Sequence, residues 1–574
     1  MFSAGGIITL FFHQADRLIL AYNLIGLFTV LFTGMVFYHS RLKWRILRIE
    51  NWKTIKQTHL ARLKLSWSSI PPARETVVPE HHPYAYDLDI VGPYSLLRLL
   101  DTTVSTRGYT YLSSALLLPG RVSADLEHRQ KLVRELVPRS LLRDRIILEA
   151  KTISGDGPLR SEEMADVFKT SKVFAGIKRV LILEAGLAIL TAIFFALEYV
   201  NGPRFWTYLF ITYAAIYLFY VSRLAPIFGH ALTLRSQLER LEPLLAYLEK
   251  RRELNAPELN TLCAPFRQAG FRPSQLIRKM ARICDGLSVR AHPMVQLILN
   301  AVLPWDFYFA FKYERLRVRL LDLFPNWLDA LGQIEMASSL AQFSALHHEY
   351  TFPLIGKEGE ESPTIIAKDM GHPLIPDSKR VVNDFTLDGL GSITLITGSN
   401  MSGKSTFLRT LGINVCLAQA GGPVCARSFL APLMRMYCSL RIKDDLEMGL
   451  SYFYAEVKRL KQIMDAAADQ SSPPVLFLID EIFKGTNNRE RIIGSTAYLM
   501  ALVNSHGLGL VTTHDLELTG LSTENRKISN YYFQESIAEG RLAFDYRLHK
   551  GFCSATNALR IMALEGLPVQ RCDI

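Results

Sequence analysis

Gly398-Ser399-Asn400-Met401-Ser402-Gly403-Lys404-Ser405 decides how the second half of the chain is read. The run has the form G-x-x-x-x-G-K-S, a phosphate-binding loop. Ser392-Ile-Thr-Leu-Ile-Thr397 precedes it and is short and apolar, as a buried strand is. Thr406-Phe-Leu-Arg-Thr-Leu-Gly-Ile-Asn-Val-Cys-Leu417 follows it, with apolar residues at helical spacing. Strand, loop and helix in that order are the context the motif needs. Gly398 and Gly403 let the backbone curl so that its N–H groups converge on an anion, and the helix start adds its dipole. Lys404 is then expected at the β- and γ-phosphates, and Ser405 on Mg²⁺.

Downstream, Val475-Leu-Phe-Leu-Ile479 reads as a buried parallel strand ending in Asp480-Glu481. An acid at a strand tip beside the loop can hold Mg²⁺, and the next acid can activate a water. Leu508-Gly-Leu-Val-Thr-Thr513 is a further strand, ending in His514-Asp515; a histidine there can contact a γ-phosphate. Any one of these residues alone would read as structural, but two strand tips around one phosphate loop make a constellation. Ser451 N-caps an amphipathic helix starting at Tyr452-Phe-Tyr-Ala-Glu456. Its free N–H groups suit a phosphate presented by another subunit.

The rest of the chain differs in kind. Over 574 residues, 49% are apolar, and mean hydropathy is +0.13, which points to membrane segments. Leu18 to Tyr38 contains no charge and is long enough to span a bilayer. Arg41, Lys43, Arg45, Arg48, Lys53, Lys56, Arg62 and Lys64 follow, against the single acid Glu50, so the C-terminal side is expected in the cytoplasm. Val180–Tyr199 and Phe205–Tyr220, joined by a short turn, read as a transmembrane hairpin with Lys178, Arg179 and Arg223 at its outer ends. Glu184 and Glu198 interrupt its first helix; Glu198 is terminal, and Glu184 lies one turn in.

Residues 41–85 read as a basic juxtamembrane linker. Residues 86–178 and 224–362 read as two parts of an all-α region, and 363–574 as an α/β domain. The net charge of +11 fits nucleic acid, anionic lipid or orientation in a membrane. Two basic clusters, Arg267, Arg272, Arg278, Lys279, Arg282 and Lys312, Arg315, Arg317, Arg319, suit a phosphate backbone or a solvated helix face equally. His81-His-Pro-Tyr-Ala-Tyr-Asp87-Leu-Asp89 reads as a capped polar loop rather than a metal site. The seven scattered cysteines contain no C-x-x-C pair, so no zinc site is expected.

Taken together the C-terminal motifs resemble the MutS family of DNA mismatch-repair ATPases. The match runs from about Leu331 to the end: Gly371-His-Pro-Leu374, Ile396-Thr-Gly-Ser-Asn-Met-Ser-Gly-Lys-Ser-Thr406, Gln419-Ala-Gly421, Asp444-Asp-Leu446, Ser451-Tyr-Phe453, Glu456, Ile479-Asp-Glu481, Gly485-Thr486 and Thr512-Thr-His514 follow the family's order. Phe544-Asp-Tyr-Arg-Leu-His-Lys-Gly551 and Ala558 to Pro568 resemble its closing strand and helix. Ser95 to Arg129 resembles the start of its helical core.

The resemblance implies a C-terminal P-loop ATPase of ABC type, using ATP and Mg²⁺. The loop from Gly398 to Thr406 would bind nucleotide, Ser405 and Asp480 would hold Mg²⁺, and Lys404, Glu481 and His514 would be catalytic. It further implies a homodimer with composite sites, Ser451 of one subunit completing the site of the other, and coupling to DNA. No room is seen for the family's mismatch-reading N-terminal domain, so mismatch selectivity is not expected. The resulting expectation is an integral protein of the plasma membrane, anchored by 1–40 and by a hairpin at 179–223, with its ATPase domain in the cytoplasm. A second expectation replaces DNA with a membrane or protein partner. Three spans with few internal charges argue against a transporter.

Overall fold

The computed structural model describes residues 3–118, 123–151, 157–170, 172–198, 202, 204–268, 270–289, 292–356, 363–399, 401–441, 452–538 and 541–552. Its first part is helical. Ser3–Leu63 is one continuous helix, longer than the span expected at 18–38 and running on through much of the basic segment expected at 41–85. From Tyr22 to Tyr38 its described apolar side chains are exposed, with no partner surface among the described residues. Among the described residues, three helices are long and apolar enough to cross a membrane by length and composition: Tyr22–Leu63 within this one, Ile177–Glu198 and Trp206–Leu224. The last two form the hairpin. Glu198 sits at its turn, where Arg204 pairs with it at 2.8 Å and the Trp206 indole donates to it. Glu184 faces inward and is fully buried, so it presents no charge on the outer surface of the hairpin.

A 42-residue lever helix, Trp305–Leu346, then runs for about 63 Å at 1.5 Å per residue. Its C-terminal half is the spine of the helical core, packing on Thr106–Leu117 and Ser123–Leu136. Glu335 is buried there and fixes the joint. Its Oε2 accepts from the N–H groups of Val104 (3.1 Å) and Ser105 (3.0 Å) and from the Ser105 hydroxyl (3.0 Å). Ser105 Oγ in turn accepts from Gly108 N–H at the start of the next helix. Gly108 is required: a Cβ there would meet Glu335 Oε2 at 2.1 Å. Burial, only partly offset by these donors, pushes the Glu335 carboxyl up to about 7.

The α/β part holds two sheets. Strands β1 (Leu354–Ile355), β2 (Thr364–Met370), β3 (Asn383–Asp388) and β5 (Ser428–Ala431) form a small sheet in the order β1-β5-β2-β3. It therefore begins slightly before the expected boundary at 363. Strands β4 (Ile393–Thr397), β6 (Arg435–Ser439), β7 (Val475–Asp480), β8 (Gly507–Thr512), β9 (Ile528–Ala538) and β10 (Arg541–Lys550) form the main sheet, ordered β10-β9-β4-β8-β7-β6. All its pairings are parallel except β10 with β9.

The central strands are buried on both faces, so they read as continuous apolar runs. Their two-residue period still divides them. Ile396, Leu476, Leu478, Leu508 and Leu510 join the core shared with the helical region. Ile393, Leu395, Phe477, Ile479 and Val511 pack on the other face, under Leu460, Ile463, Leu499 and Leu502.

The segment 81–89 joins the two parts. Leu88 packs so closely on the helix after the phosphate loop that a Cβ at Gly412 would lie 2.8 Å from it. Arg409 Nε donates to Asp87 O (3.1 Å) and Cys438 N–H to Pro83 O (2.8 Å). Arg441 pairs with Asp89 at 2.7 Å, and Arg459 with Asp87 at 3.4 Å. The acids that could have suggested a metal are thus a clamp for arginines of the α/β domain.

Candidate nucleotide site

The register of the main sheet sets the site. Ile396 lies beside Thr512, and Thr512 beside Asp480, so the ends of β4, β8 and β7 stand level at one edge. Ligands in parallel α/β sheets bind in the crevice outside these carboxyl ends. Gly398 and Gly403 adopt φ of 144° and 111° there, backbone that side chains rarely take. A Cβ on Gly398 would also meet Ser402 Oγ at 2.8 Å. The helix Lys404–Gln419 starts directly behind the loop, with its N-terminus toward the crevice.

Lys404 is buried. Its ammonium donates to Gly398 O (2.7 Å) and Ser399 O (3.0 Å), and stands 3.3 Å from His514 Nε2. Burial lowers its pKa, while Glu481 and Asp480 oppose that shift. Ser405 Oγ donates to Asp480 Oδ2 at 2.7 Å, and Thr512 Oγ1 donates to Asp480 Oδ1 at 2.6 Å. Thr512 Oγ1 also accepts from Glu481 N–H at 3.1 Å. One threonine therefore orients both acids.

Glu481 has φ of 59°, so the chain turns at the strand tip and the carboxylate points back across the crevice. His514 Nε2 approaches its Oε1 at 2.8 Å and Lys484 its Oε2 at 3.3 Å. These partners, His514 first, hold the Glu481 carboxyl down at about 2. The pairing contributes fully above the ordinary glutamate value of 4.5 and is lost as pH falls toward 2. At neutral pH the carboxylate is charged and able to accept a proton once water or substrate reaches it.

The helix Tyr452–Ala468 is tied to this centre. Glu456 Oε1 accepts from Lys484 N–H at 3.3 Å, and a Cβ on Gly485 would meet Phe453 Cβ at 2.9 Å. Arg491 holds Asp515 with bonds of 2.8 and 2.6 Å, anchoring the loop that carries His514. Of the expected site residues, Gly398, Ser399, Met401, Ser402, Gly403, Lys404, Ser405, Thr406, Asp480, Glu481 and His514 are gathered at this edge. Asn400, Ser451, Asp444 and the closing helix from Ala558 lie outside the described residues. Thr512, Lys484 and Glu456 had no role assigned from sequence; their signal was adjacency to the strand tips and to the helix at 452.

The loop fits a phosphate chain with Mg²⁺ on its own evidence. The hydroxyls of Ser399 and Ser402 are buried without a hydrogen-bond partner among the described residues. Ser405 and Asp480 meet in the hydroxyl–carboxylate geometry a shared cation would use. A different grouping, His347, Glu349 and Asp377, is close enough to hold a cation, but Arg380 already stands 2.7 Å from Asp377.

The basic clusters are less open than their sequence implies. Arg317 is buried, bonded to Glu314 and to Phe168 O, and so cannot meet an external phosphate. Arg278 pairs with Glu242. Arg272, Lys279, Arg282, Lys312, Arg315 and Arg319 remain exposed.

Residues 394–573 match the model of MutS domain V. The chain is 31% identical over 243 residues to the DNA mismatch repair protein MutS 2 of Halobacterium salinarum, covering 42% of this chain and 27% of that one. It is 35% identical over 245 residues to the endonuclease MutS2 of Thermus thermophilus, covering 42% and 31%. A mismatch repair protein MutS from Natronomonas pharaonis is 29% identical over 251 residues, covering 42% and 28%. The chain thus matches less than a third of the length of these curated relatives. A phosphate loop between parallel strands, acids and a histidine on the adjoining strand tips, and this likeness over one domain agree: the α/β part of the chain is a MutS domain V.

Proposed function

We propose that the protein is a membrane-anchored MutS-like ATPase that binds and hydrolyses ATP in a composite-site dimer and couples this to DNA. The observation that carries the reading is the single crevice where Lys404, Ser405, Asp480, Glu481 and His514 converge. The Gly398–Thr406 loop and Lys404 would hold the phosphates, and Ser405 with Asp480 the Mg²⁺. Bound there, Mg²⁺ would neutralise charge on the phosphates. Glu481 would take the proton of the attacking water, and His514, already against both Glu481 and Lys404, would position the carboxylate. The ATPase domain would lie in the cytoplasm of a cell whose plasma membrane holds the spans. Exposed Arg272, Lys279 and Arg282 would meet DNA phosphates.

Mixed dimers test the composite site. Lys404→Ala and Ser451→Ala chains should each be inactive alone. In a mixed dimer one site regains both native residues, so mixing should restore turnover, at about a quarter of the native sites in a statistical mixture. Absence of any recovery, with dimerisation verified, would remove Ser451 from the partner's site.

A second reading, an ATP-driven switch acting on a membrane or protein partner, has its own support. The hairpin is hydrogen-bonded to the foot of the lever helix through Tyr217 and Asp306, at 2.9 Å. Motion of the ATPase domain would be transmitted along that helix to the membrane segment.

A further inference from the structure

A short helix, Pro293–Val302, precedes the lever and meets it at 89° across Leu303-Pro304. It carries no charged residue. Met294, Val295, Leu297, Ile298, Val302 and Leu303 are exposed, Leu297 by 67% and Ile298 by 60%. A water-facing helix of this composition would be costly, because apolar side chains gain free energy on leaving water.

Its polar atoms are already used. Tyr213 Oη donates to Asn300 O at 2.6 Å, Gln296 Nε2 lies 3.3 Å from Tyr217 Oη, and Asn300 Oδ1 accepts from Asp306 N–H at 3.0 Å. Tyr213, Asn300 and Asp306 are buried. The first two contacts join the short helix to the second helix of the hairpin and the third ties it to the lever, leaving its hydrocarbon face outward.

The bonds also set its depth. Tyr217 and Tyr213 lie six and ten residues from Arg223 along the hairpin helix, or about 9 and 15 Å. Half the hydrocarbon thickness of a bilayer is about 15 Å. The lever repeats this spacing: its first seven residues, Trp305–Phe311, contain one charge, the buried Asp306. Exposed Lys312, Arg315 and Arg319 follow, the first of them about 10 Å from Trp305. Both helices therefore present their first exposed basic residue at a similar distance from the elbow.

We propose that Pro293–Val302 is a re-entrant helix lying within the leaflet on the basic side of the hairpin, its outer face covered by lipid acyl chains. The lever then begins inside the bilayer. This rests on the membrane reading of the hairpin.

Nitroxide labels at Leu297→Cys, Ile298→Cys, Leu218→Cys and Arg319→Cys test it in proteoliposomes. The background is the full chain with Cys553→Ser and Cys572→Ser, since the other five cysteines are buried. The labels at 297 and 298 should behave like that at 218: relaxed by oxygen, with loss of relaxation by a water-soluble nickel chelate. The label at 319 should show the reverse. Nickel access at 297 and 298 with lipid behaviour at 218 would overturn the re-entrant helix and leave the hairpin standing. Nickel access at 218 as well would overturn the membrane reading and this inference with it.

Discussion

Lys404→Ala is expected to abolish tight nucleotide binding. The ammonium is buried in the loop and bonded to two of its carbonyls, so it is fixed where a phosphate chain would enter. Removing one member of a buried charge pair costs about 3–5 kcal/mol. That corresponds to a loss of roughly 10²- to 4 × 10³-fold in affinity. Titration of a fluorescent ATP analogue against the chain in nanodiscs reads this directly. Lys404→Met keeps the aliphatic stem and should lose nucleotide to the same extent, which separates loss of charge from collapse of the loop. Unchanged affinity in both variants, with unchanged thermal unfolding, would refute the role given to the loop.

Glu481→Gln should behave in the opposite way. The amide retains an oxygen for His514 but cannot take a proton from water. Nucleotide affinity is expected to stay the same while turnover falls about 10²- to 10⁴-fold, the usual worth of a positioned general base. A single-turnover assay with radiolabelled ATP separates the two quantities. The variant should also accumulate the ATP-bound dimer, visible as a larger particle on size exclusion when ATP and Mg²⁺ are present. Native turnover would take Glu481 out of the mechanism and leave the acid of the site unassigned.

The site was largely legible in the sequence because its chemistry is local. A strand, a glycine loop and a helix lie within about thirty residues, and the tips of the two neighbouring strands carry an acid pair and a histidine. What was not legible depends on partners distant in the chain. Asp87 and Asp89 look like loop acids until Arg441 and Arg459, more than 350 residues later, close on them. Arg317 reads as part of an exposed basic run, yet folding buries it against Glu314 and the Phe168 carbonyl. Pro293–Val302 gives no membrane signal of its own in the sequence, since ten residues cannot span a bilayer. Its meaning comes from the bend at Pro304 and from two tyrosines of the hairpin, neither of which a periodicity shows.

The fold divides in the same way. The α/β strands announce themselves as apolar runs because they are buried on both faces. The helical core gives only periodicity, so its joints stay hidden. Glu335 is the example: within a lever helix it looks like a surface acid, whereas it is the buried acceptor for three donors of the chain at Val104 and Ser105.

Coupling of ATP turnover to DNA is the central claim, and steady-state ATPase activity in nanodiscs tests it most directly. The chain is assayed alone and with matched duplex, mismatched duplex and single-stranded DNA, at two salt concentrations. The account predicts that DNA changes turnover, that matched and mismatched duplexes act alike, and that the effect fades steeply with salt, as binding through phosphate contacts requires. Robust, Mg²⁺-dependent turnover that ignores every DNA at both salt concentrations would contradict it and leave the membrane as the target of the lever.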